Sequence, residues 1–189
     1  MMQGKNFMIP VDSTGETTEL MFKTQYVAEW VLRVAQEEGL LQIEERKAVA
    51  LCLWEYTRPT PFLKCKIGTT FPNDEFRAGC WELAEEKVAR QFNLGHMSSY
   101  QSRNEKERKY GGAIAVLAGV LWGIGISGLK ELEDEAIALV SAIYIFDIPW
   151  EKEVIQVILR GSRNVDLTHR ILVAMKRNDR GYYESRIAA

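Results

Sequence analysis

Residues 111–129, GGAIAVLAGVLWGIGISGL, constrain the fold of this chain more than any other part of the sequence. The stretch contains no charged residue and lies between Tyr110 and Lys130. Small residues recur in it at every fourth position, at Gly111, Ala115, Gly119, Gly123 and Ser127. On an α-helix this spacing places them in one line, along which another helix can approach closely. The pattern therefore predicts a central helix that is buried on all sides.

A transmembrane helix is the first alternative for residues 111–129. Their length reaches the threshold of about 18 to 20 apolar residues, and Gly119 and Gly123 form the small-residue pattern of packed membrane helices. Basic residues precede the stretch and acidic residues follow it, which would place the preceding part of the chain in the cytoplasm. The mean hydropathy of the whole chain, -0.18, is instead typical of a soluble protein.

A nucleotide-binding loop at residues 123–128 is the second alternative. Gly123, Gly125 and Gly128 match the dinucleotide fingerprint, and Asp147 follows near the position of a ribose-binding acid. Four acidic residues between positions 131 and 135 would, however, crowd the helix N-terminus that should attract a pyrophosphate. The chain after Asp147 is also too short for a doubly wound sheet, which makes this alternative weaker than a buried helix.

The length and composition are those of a globular protein. A chain of 189 residues with 47% hydrophobic and 26% charged residues fits one domain with a sizeable core. A net charge of -2 gives no general attraction to nucleic acid or to an acidic membrane. The three cysteines are odd in number and lack CxxC spacing, and the first residues carry no apolar run of signal-peptide length. We therefore expect a cytoplasmic protein.

Hydrophobic periodicity predicts an all-α fold of about seven helices and no convincing sheet. The helices are expected at residues 24–38, 44–56, 72–92, 111–129, 132–146, 149–159 and 166–177. Residues 64–70 are interpreted as a turn or a short strand. The sequence predicts an N-terminal arm at 1–20, a single helical domain at 21–177 and a C-terminal tail at 178–189.

A weak internal echo relates the first predicted helix to the central stretch at an offset of 89 residues. Identical residues face each other in the pairs Val27 and Val116, Val31 and Val120, Leu32 and Leu121, Gly39 and Gly128, Leu40 and Leu129, and Glu44 and Glu133. These identities predict a duplicated helical hairpin about a pseudo-twofold axis, with chance matching as the alternative.

Two acidic turns carry a resemblance to a known family. Glu38-Gly39 is followed by Glu44 and Glu45, and Gly128 is followed by Glu133 and Asp134. In these turns the chain resembles the tellurite-resistance TerB-like family, over about residues 24–160. The resemblance implies an all-helical fold built from a pair of hairpins. The family's turn usually starts with Asp, where this chain has Glu38 and Ser127.

The acidic turns are also the candidate metal site, because carboxylate oxygens bind hard cations. The candidate ligands are Glu38, Glu44, Glu45, Glu133 and Asp134. Acidic residues are also favoured at helix N-termini by the backbone dipole, which gives a purely structural alternative. His96 and His169 are the two histidines, and neither lies beside a plausible nucleophile. The sequence predicts no catalytic residue and no cofactor.

Two sets of residues are candidates for an interaction surface. Gly119 and Gly123 form the close-approach line of the central helix, and Arg163, Arg170 and Arg177 give the last helix a basic character. We therefore expect a non-enzymatic protein–protein interaction module, acting as a regulator or assembly component through a protein partner or self-association. The basic residues leave nucleic acid as a possible partner, and a membrane-anchored protein or a nucleotide-binding protein are the alternatives.

Overall fold

The computed structural model describes residues 16–42, 47–150, 152–162 and 164–182. Within these ranges the chain forms five α-helices and one four-stranded antiparallel sheet, so it has an α/β fold and the predicted all-α fold is wrong. In chain order the elements are α1 (Glu16–Glu37), β1 (Ala48–Glu55), β2 (Leu63–Gly68), α2 (Asp74–Leu94), β3 (Ala113–Ala118), β4 (Val120–Ser127), α3 (Glu131–Ile145), α4 (Glu153–Ser162) and α5 (Val165–Tyr182).

The sheet has the strand order β2-β1-β4-β3 and lies between two layers of helices. One face is covered by α2, and the other is covered by α1 and α3, on which α5 packs in turn. Trp30 of α1 contacts Tyr144 of α3 edge-to-face on that second side, with ring centroids 5.3 Å apart. No helix within the described ranges has both the length and the apolar character needed to cross a membrane.

Residues 111–129 form the β3–β4 hairpin, so the prediction of a central buried helix is wrong. Ala113 pairs with Gly125 and Ala118 pairs with Val120. The turn between the strands is Gly119 alone, whose φ of 74° lies in the left-handed region that side chains disfavour. A spacing of four also fits a strand, because side chains on one face of a strand recur every two residues. The small residues within the strands, Ala115, Gly123 and Ser127, therefore share one face of the sheet, and α2 packs against that face at Gly123. Gly111 and Gly119 lie outside the strands.

The predicted helix at residues 44–56 is also wrong, because its described part contains strand β1. Side chains from Ala48 to Leu53 are buried on both faces of this strand, which pairs with β2 and with β4. A strand covered on both sides is a continuous apolar run, and periodicity alone does not distinguish such a run from a buried helix. The short strand considered for residues 64–70 is present as β2 (Leu63–Gly68).

The remaining helices lie close to their predicted positions. Asn73 caps α2, since its side chain accepts a hydrogen bond from the Phe76 amide, and Gly95 ends the helix in a left-handed conformation. Helix α1 begins at Glu16, within the predicted arm, and α4 begins at Glu153 rather than near Pro149. The predicted duplication is wrong, because one copy of the echo is helix α1 whereas the other is a pair of strands.

Candidate functional site

The predicted interaction glycines have two different environments. Gly119 forms the exposed tip of the β3–β4 hairpin. Gly123 is buried beneath α2, where an added Cβ would lie 2.4 Å from Val88 Cγ1 and 2.9 Å from Phe92 Cζ. The two residues therefore do not form one line on a helix. Residues 123–127 lie within strand β4, so the open loop that the nucleotide-binding alternative requires is absent.

The candidate metal ligands are dispersed. Glu38 lies 3.5 Å from Arg177, Glu133 accepts hydrogen bonds from the amides of Gln42 and Lys130, and Asp134 pairs with Lys87. Glu44 and Glu45 lie outside the described residues. Within the part of the chain that the structure describes, no three His, Cys, Asp or Glu side chains are grouped so as to hold a metal ion.

The basic residues predicted on the last helix are partly neutralised by neighbours on the surface. Arg170 lies 4.0 Å from Asp166 one turn earlier, and Arg177 approaches Glu38 of α1. Both guanidinium groups are more than half exposed, so these pairs are screened by water. Arg163 lies outside the described residues.

A buried ion pair joins α2 to α3 at the end of the sheet. Lys87 Nζ lies 3.0 Å from Asp134 Oδ2 and donates a hydrogen bond of 2.8 Å to the carbonyl of Ile126. The two side chains are only 2% and 3% exposed. Gly112 lies against this pair, and a Cβ there would be 2.7 Å from Lys87 Nζ. Only glycine therefore fits beside the ammonium group.

Glu135 is a second buried carboxylate next to this ion pair. It accepts hydrogen bonds from Ser98 Oγ at 2.9 Å and from the Gly112 amide at 3.4 Å. Burial disfavours the ionised form and raises the pKa of Glu135 to about 7, although these hydrogen bonds act in the opposite direction. Its charge therefore changes in the physiological pH range.

Arg90 fixes the connection between α2 and β3 to the body of the protein. Its guanidinium donates hydrogen bonds to the carbonyls of Ser99, Ser102 and Tyr110, at 2.6 to 3.0 Å, and pairs with Glu86 at 2.7 Å. The connection contains the 3₁₀ turns Ser99–Ser102 and Glu105–Glu107. One buried arginine thus ties a polar segment without regular periodicity to α2, because it donates hydrogen bonds to three of the segment's carbonyls.

These charged groups were missed by the sequence analysis, although a signal for Lys87 exists. Cys80, Ala84, Val88 and Gln91 are buried on the inner face of α2, and Lys87 lies on that same face at helical spacing. A lysine within an apolar stripe predicts a buried counter-ion. Its partner Asp134 was identified only as a possible metal ligand. Lys87 and Asp134 satisfy each other's buried charge, so neither side chain is presented to a substrate.

Two of the three cysteine thiols are poor nucleophiles for the same reason, burial. Cys52, Cys65 and Cys80 are free, and burial raises the pKa of both Cys52 and Cys65 to about 12. The thiolate is the nucleophilic and metal-binding form, so these two side chains stay protonated near neutral pH.

Apolar side chains are exposed at the opposite end of the sheet, around the hairpin tip. We call the surface formed by Tyr56, Phe92, Leu117 and Leu121 the hairpin patch. Leu117 is 60% exposed and Tyr56 is 55% exposed. Val120, which is also exposed, precedes Leu121 in β4 and therefore lies on the opposite face of the sheet. The patch combines an aromatic pair with aliphatic side chains, a composition typical of protein interfaces.

The strand register explains why these side chains are neighbours. Leu117 pairs directly with Leu121, and the amide of Tyr56 donates a 2.9 Å hydrogen bond to the Leu121 carbonyl. Leu121 lies two residues before Gly123, so its side chain emerges on the face that α2 covers. Helix α2 reaches this row through Phe92, whose ring centroid is 5.2 Å from that of Tyr56. The helix ends at Leu94 and leaves the row exposed.

The raised pKa of Glu135 predicts a pH-dependent stability. The folded protein retains this proton up to about pH 7, whereas the unfolded chain releases it near the ordinary value of 4.5. The contribution to the free energy of unfolding is therefore complete below about pH 4.5 and is lost as the pH rises through 7. A shift of this size corresponds to about 3 kcal/mol.

We expect Glu135→Gln to make the free energy of unfolding less dependent on pH between pH 5 and pH 8, because glutamine keeps an acceptor for Ser98 but does not ionise. Urea unfolding at several pH values in this range measures the slope of the free energy of unfolding against pH. Glu107→Gln, at an exposed side chain, is the control and should leave the slope unchanged. A wild-type slope in the Glu135 variant would contradict the assignment.

Comparison with known proteins gives little guidance. No protein-family model matches the chain, and no curated protein matches it. Among solved structures, the chain is similar to one titled "Crystal structure of Ybr137w protein", at a TM-score of 0.42 and 17% identity, over 75% of this chain and 90% of that chain. A likeness at this level carries no argument about function. None of these comparisons bears on the TerB-like resemblance, although the all-helical fold that it implied is wrong.

Proposed function

We propose that this chain is a non-enzymatic protein–protein interaction module that acts as a regulator or assembly component through the hairpin patch. The observation that carries the proposal is the exposure of Tyr56 and Leu117 on either side of Leu121, in one row at the hairpin tip. Isolated exposed apolar residues are normal, whereas a contiguous group of them marks a contact surface. Its aromatic members supply area at a low cost in side-chain entropy.

The buried polar groups support a non-enzymatic role. Lys87, Asp134 and Glu135 are each almost completely buried and are held by hydrogen bonds or an ion pair within the chain. A substrate would reach them only after the fold opened. The groups with the most unusual environments thus contribute to stability, and the accessible apolar surface lies at the other end of the sheet.

The cytoplasm is the compartment that fits this proposal. Three free cysteines, two of them with thiols that remain protonated, are compatible with a reducing environment. The hairpin patch would then meet its partner inside the cell.

Site-specific photo-crosslinking tests the proposal. A photoreactive amino acid replaces Leu117 in the full-length chain, which is expressed in its own host and irradiated. We expect covalent protein adducts from this position. Phe22 on α1, which is 70% exposed, provides the matched control position and should give several-fold fewer adducts. Equal yields from the two positions, or no adduct from position 117, would contradict the proposed function.

A further inference from the structure

We propose that Glu135 is a pH-sensitive switch, which holds the connection between α2 and β3 closed when protonated and lets that segment open locally when ionised. The inference goes beyond the proposed function, because it concerns an opening at the end of the sheet away from the hairpin patch. Three observations carry it: the balance of buried charges, the contacts of Glu135 with both ends of the connection, and the dependence of the β3 edge on that segment.

The buried charges around Glu135 leave its carboxylate without a counter-ion of its own. Lys87 on α2 supplies one positive charge, and its Nζ lies 3.0 Å from the carboxylate of Asp134, the residue before Glu135 in α3. Glu131, one turn earlier in α3, pairs with Arg103 of the connection. Because each neighbouring carboxylate already has a cation, ionisation of Glu135 adds a net negative charge at a residue that is only 1% exposed.

The hydrogen-bond partners of Glu135 are neutral groups. Ser98 Oγ and the Gly112 amide donate to it from the connection, and the Ser162 side chain of α4 forms a further hydrogen bond with it. Burial raises the pKa of Glu135 to about 7 and outweighs these bonds and the charge of Lys87, which favour the ionised form. The direction of this pKa change agrees with the balance of buried charges.

Glu135 contacts the connection at both of its ends. Ser98 follows the end of α2, and Gly112 lies immediately before β3. Between them, a Cβ added at Gly111 would lie 3.2 Å from Tyr100 Cδ2 and 3.3 Å from Glu135 Oε2, so the Tyr100 ring lies over the same site. The connection therefore forms part of the cover over Glu135, and moving it away would admit water to the carboxylate.

Opening of the connection is expected to cost less free energy than unfolding of the whole chain. Between residues 95 and 112, all of which the structure describes, no hydrophobic side chain is fully buried in the core. Segments with few buried apolar contacts open locally while the strands and helices of the core remain folded. Ionisation of Glu135 lowers the free energy of such an opening, because its charge is then solvated in the open form alone.

The outer edge of β3 is the part of the sheet that such an opening would expose. The Ala115 amide donates to the Met97 carbonyl, and the Ala113 amide donates to Ser99 Oγ. Both acceptors belong to the connection, so both hydrogen bonds require it to be closed. Opening would therefore leave these two amides to water, and it would uncover a strand edge that the connection otherwise protects.

Hydrogen exchange of the Ala113 and Ala115 amides, followed by NMR on the full-length chain, tests the inference. Closed and open forms should bind the Glu135 proton with pKa values of about 7 and 4.5, respectively. After correction for the intrinsic exchange rate at each pH, we expect protection factors to fall about tenfold per pH unit between about pH 5 and pH 7 and to level off above that range. Glu135→Gln should remove this fall, because glutamine does not ionise.

Urea at concentrations below the unfolding transition distinguishes local opening from global unfolding, because its effect on exchange scales with the surface that is exposed. In the wild-type chain, we expect exchange at Ala113 and Ala115 to be nearly independent of urea. The amides of β1, which lies between β2 and β4, should be at least about tenfold better protected and should exchange faster as urea is added.

Glu131→Gln is the matched control variant. Glu131 also lies on α3 and accepts a hydrogen bond from the connection, at the Gly111 amide, but it is paired with Arg103. This variant should therefore keep the wild-type dependence of the protection factors on pH.

The outcomes decide between a local switch and a purely global effect. A fall in protection that is present in the wild type and in Glu131→Gln but absent from Glu135→Gln supports the switch. Protection that does not change between pH 5 and pH 7, or that falls equally in Glu135→Gln, overturns it, as does loss of the fall in Glu131→Gln. Equal protection and equal urea dependence at β1 and at Ala113 and Ala115 also overturns it, because the connection then opens only when the chain unfolds. Crosslinking at position 117 tests the proposed function separately.

Discussion

Replacing Lys87 with methionine is expected to lower the free energy of unfolding by about 3 to 5 kcal/mol. Methionine fills most of the volume of the lysine side chain but removes the ammonium group from Asp134. The carboxylate of Asp134 is then buried with the Leu129 amide, at 2.9 Å, but without its counter-ion. The carbonyl of Ile126 also loses the hydrogen bond that Lys87 donates. The loss should appear as a lower urea midpoint at pH 8.

The pH dependence of this loss distinguishes a buried charge from a simple packing defect. Burial already raises the pKa of Asp134 above its ordinary value, and removal of Lys87 should raise that pKa further. The folded variant then binds a proton that the unfolded chain has released, so its stability rises as the pH falls towards the unfolded pKa. We expect Lys87→Met to lose less unfolding free energy relative to wild type at pH 5 than at pH 8. The double variant Lys87→Met, Asp134→Asn should recover part of the stability that Lys87→Met loses at pH 8.

Lys64 provides a matched control for this experiment. It forms an ion pair of 2.6 Å with Glu85, but both side chains are more than one-third exposed. Lys64→Met should cost less than about 1 kcal/mol, because water screens the pair and solvates the remaining carboxylate. If the Lys87 and Lys64 variants lost equal stability, the Lys87–Asp134 pair would not be buried in solution.

The sequence predicts α2, α3 and α5 near their observed positions because their signals are local. For α2, Asn73 at the N-cap and an inward apolar stripe are both readable within one segment, as is Gly95 immediately after the helix. Helix α3 likewise begins with an acidic first turn and continues with an unbroken run of buried residues from Glu133 to Ile143. For these helices, the capping residues and apolar periodicity within the segment itself were sufficient to predict where the helix lies.

The strands could not be predicted in the same way, because their burial depends on distant segments. Strand β1 lies between β2 and β4, and its side chains are covered by helices on both faces. Such a strand loses the apolar–polar alternation that identifies a half-exposed strand. Its partner β4 lies about seventy residues further along the chain, so no local pattern records the pairing.

The candidate site was predicted only in part for a related reason. Gly119 was selected as a contact residue on a helix, and it lies instead at the turn of the hairpin whose flanks form the patch. Tyr56 joins the patch through its backbone hydrogen bond to Leu121, and Phe92 of α2 joins it through contact with the Tyr56 ring. A surface assembled from three segments is not visible in any one of them.

Replacing Gly125 with alanine is expected to lower the free energy of unfolding by about 3 kcal/mol. An added Cβ would lie 2.3 Å from the Ala84 carbonyl oxygen and 2.8 Å from Val88 Cγ2. The carbonyl belongs to the backbone of α2 and has no rotamer by which to move away. The helix would have to shift from the sheet, which loosens its packing against Cys52 and Ala113. Thermal and urea unfolding both measure this loss.

Gly79, in the helix α2 that Gly125 packs against, provides a control for which the expected change in stability has the opposite sign. No atom lies within 4 Å of a Cβ added at Gly79, so Gly79→Ala should raise stability by about 1 kcal/mol through helix propensity alone. If residues 111–129 were a helix, Gly125→Ala would also be stabilising, because Gly125 lies off the line of small residues and alanine is the better helix former. The sign of the Gly125→Ala effect therefore tests the hairpin directly, and a stabilised variant would contradict it.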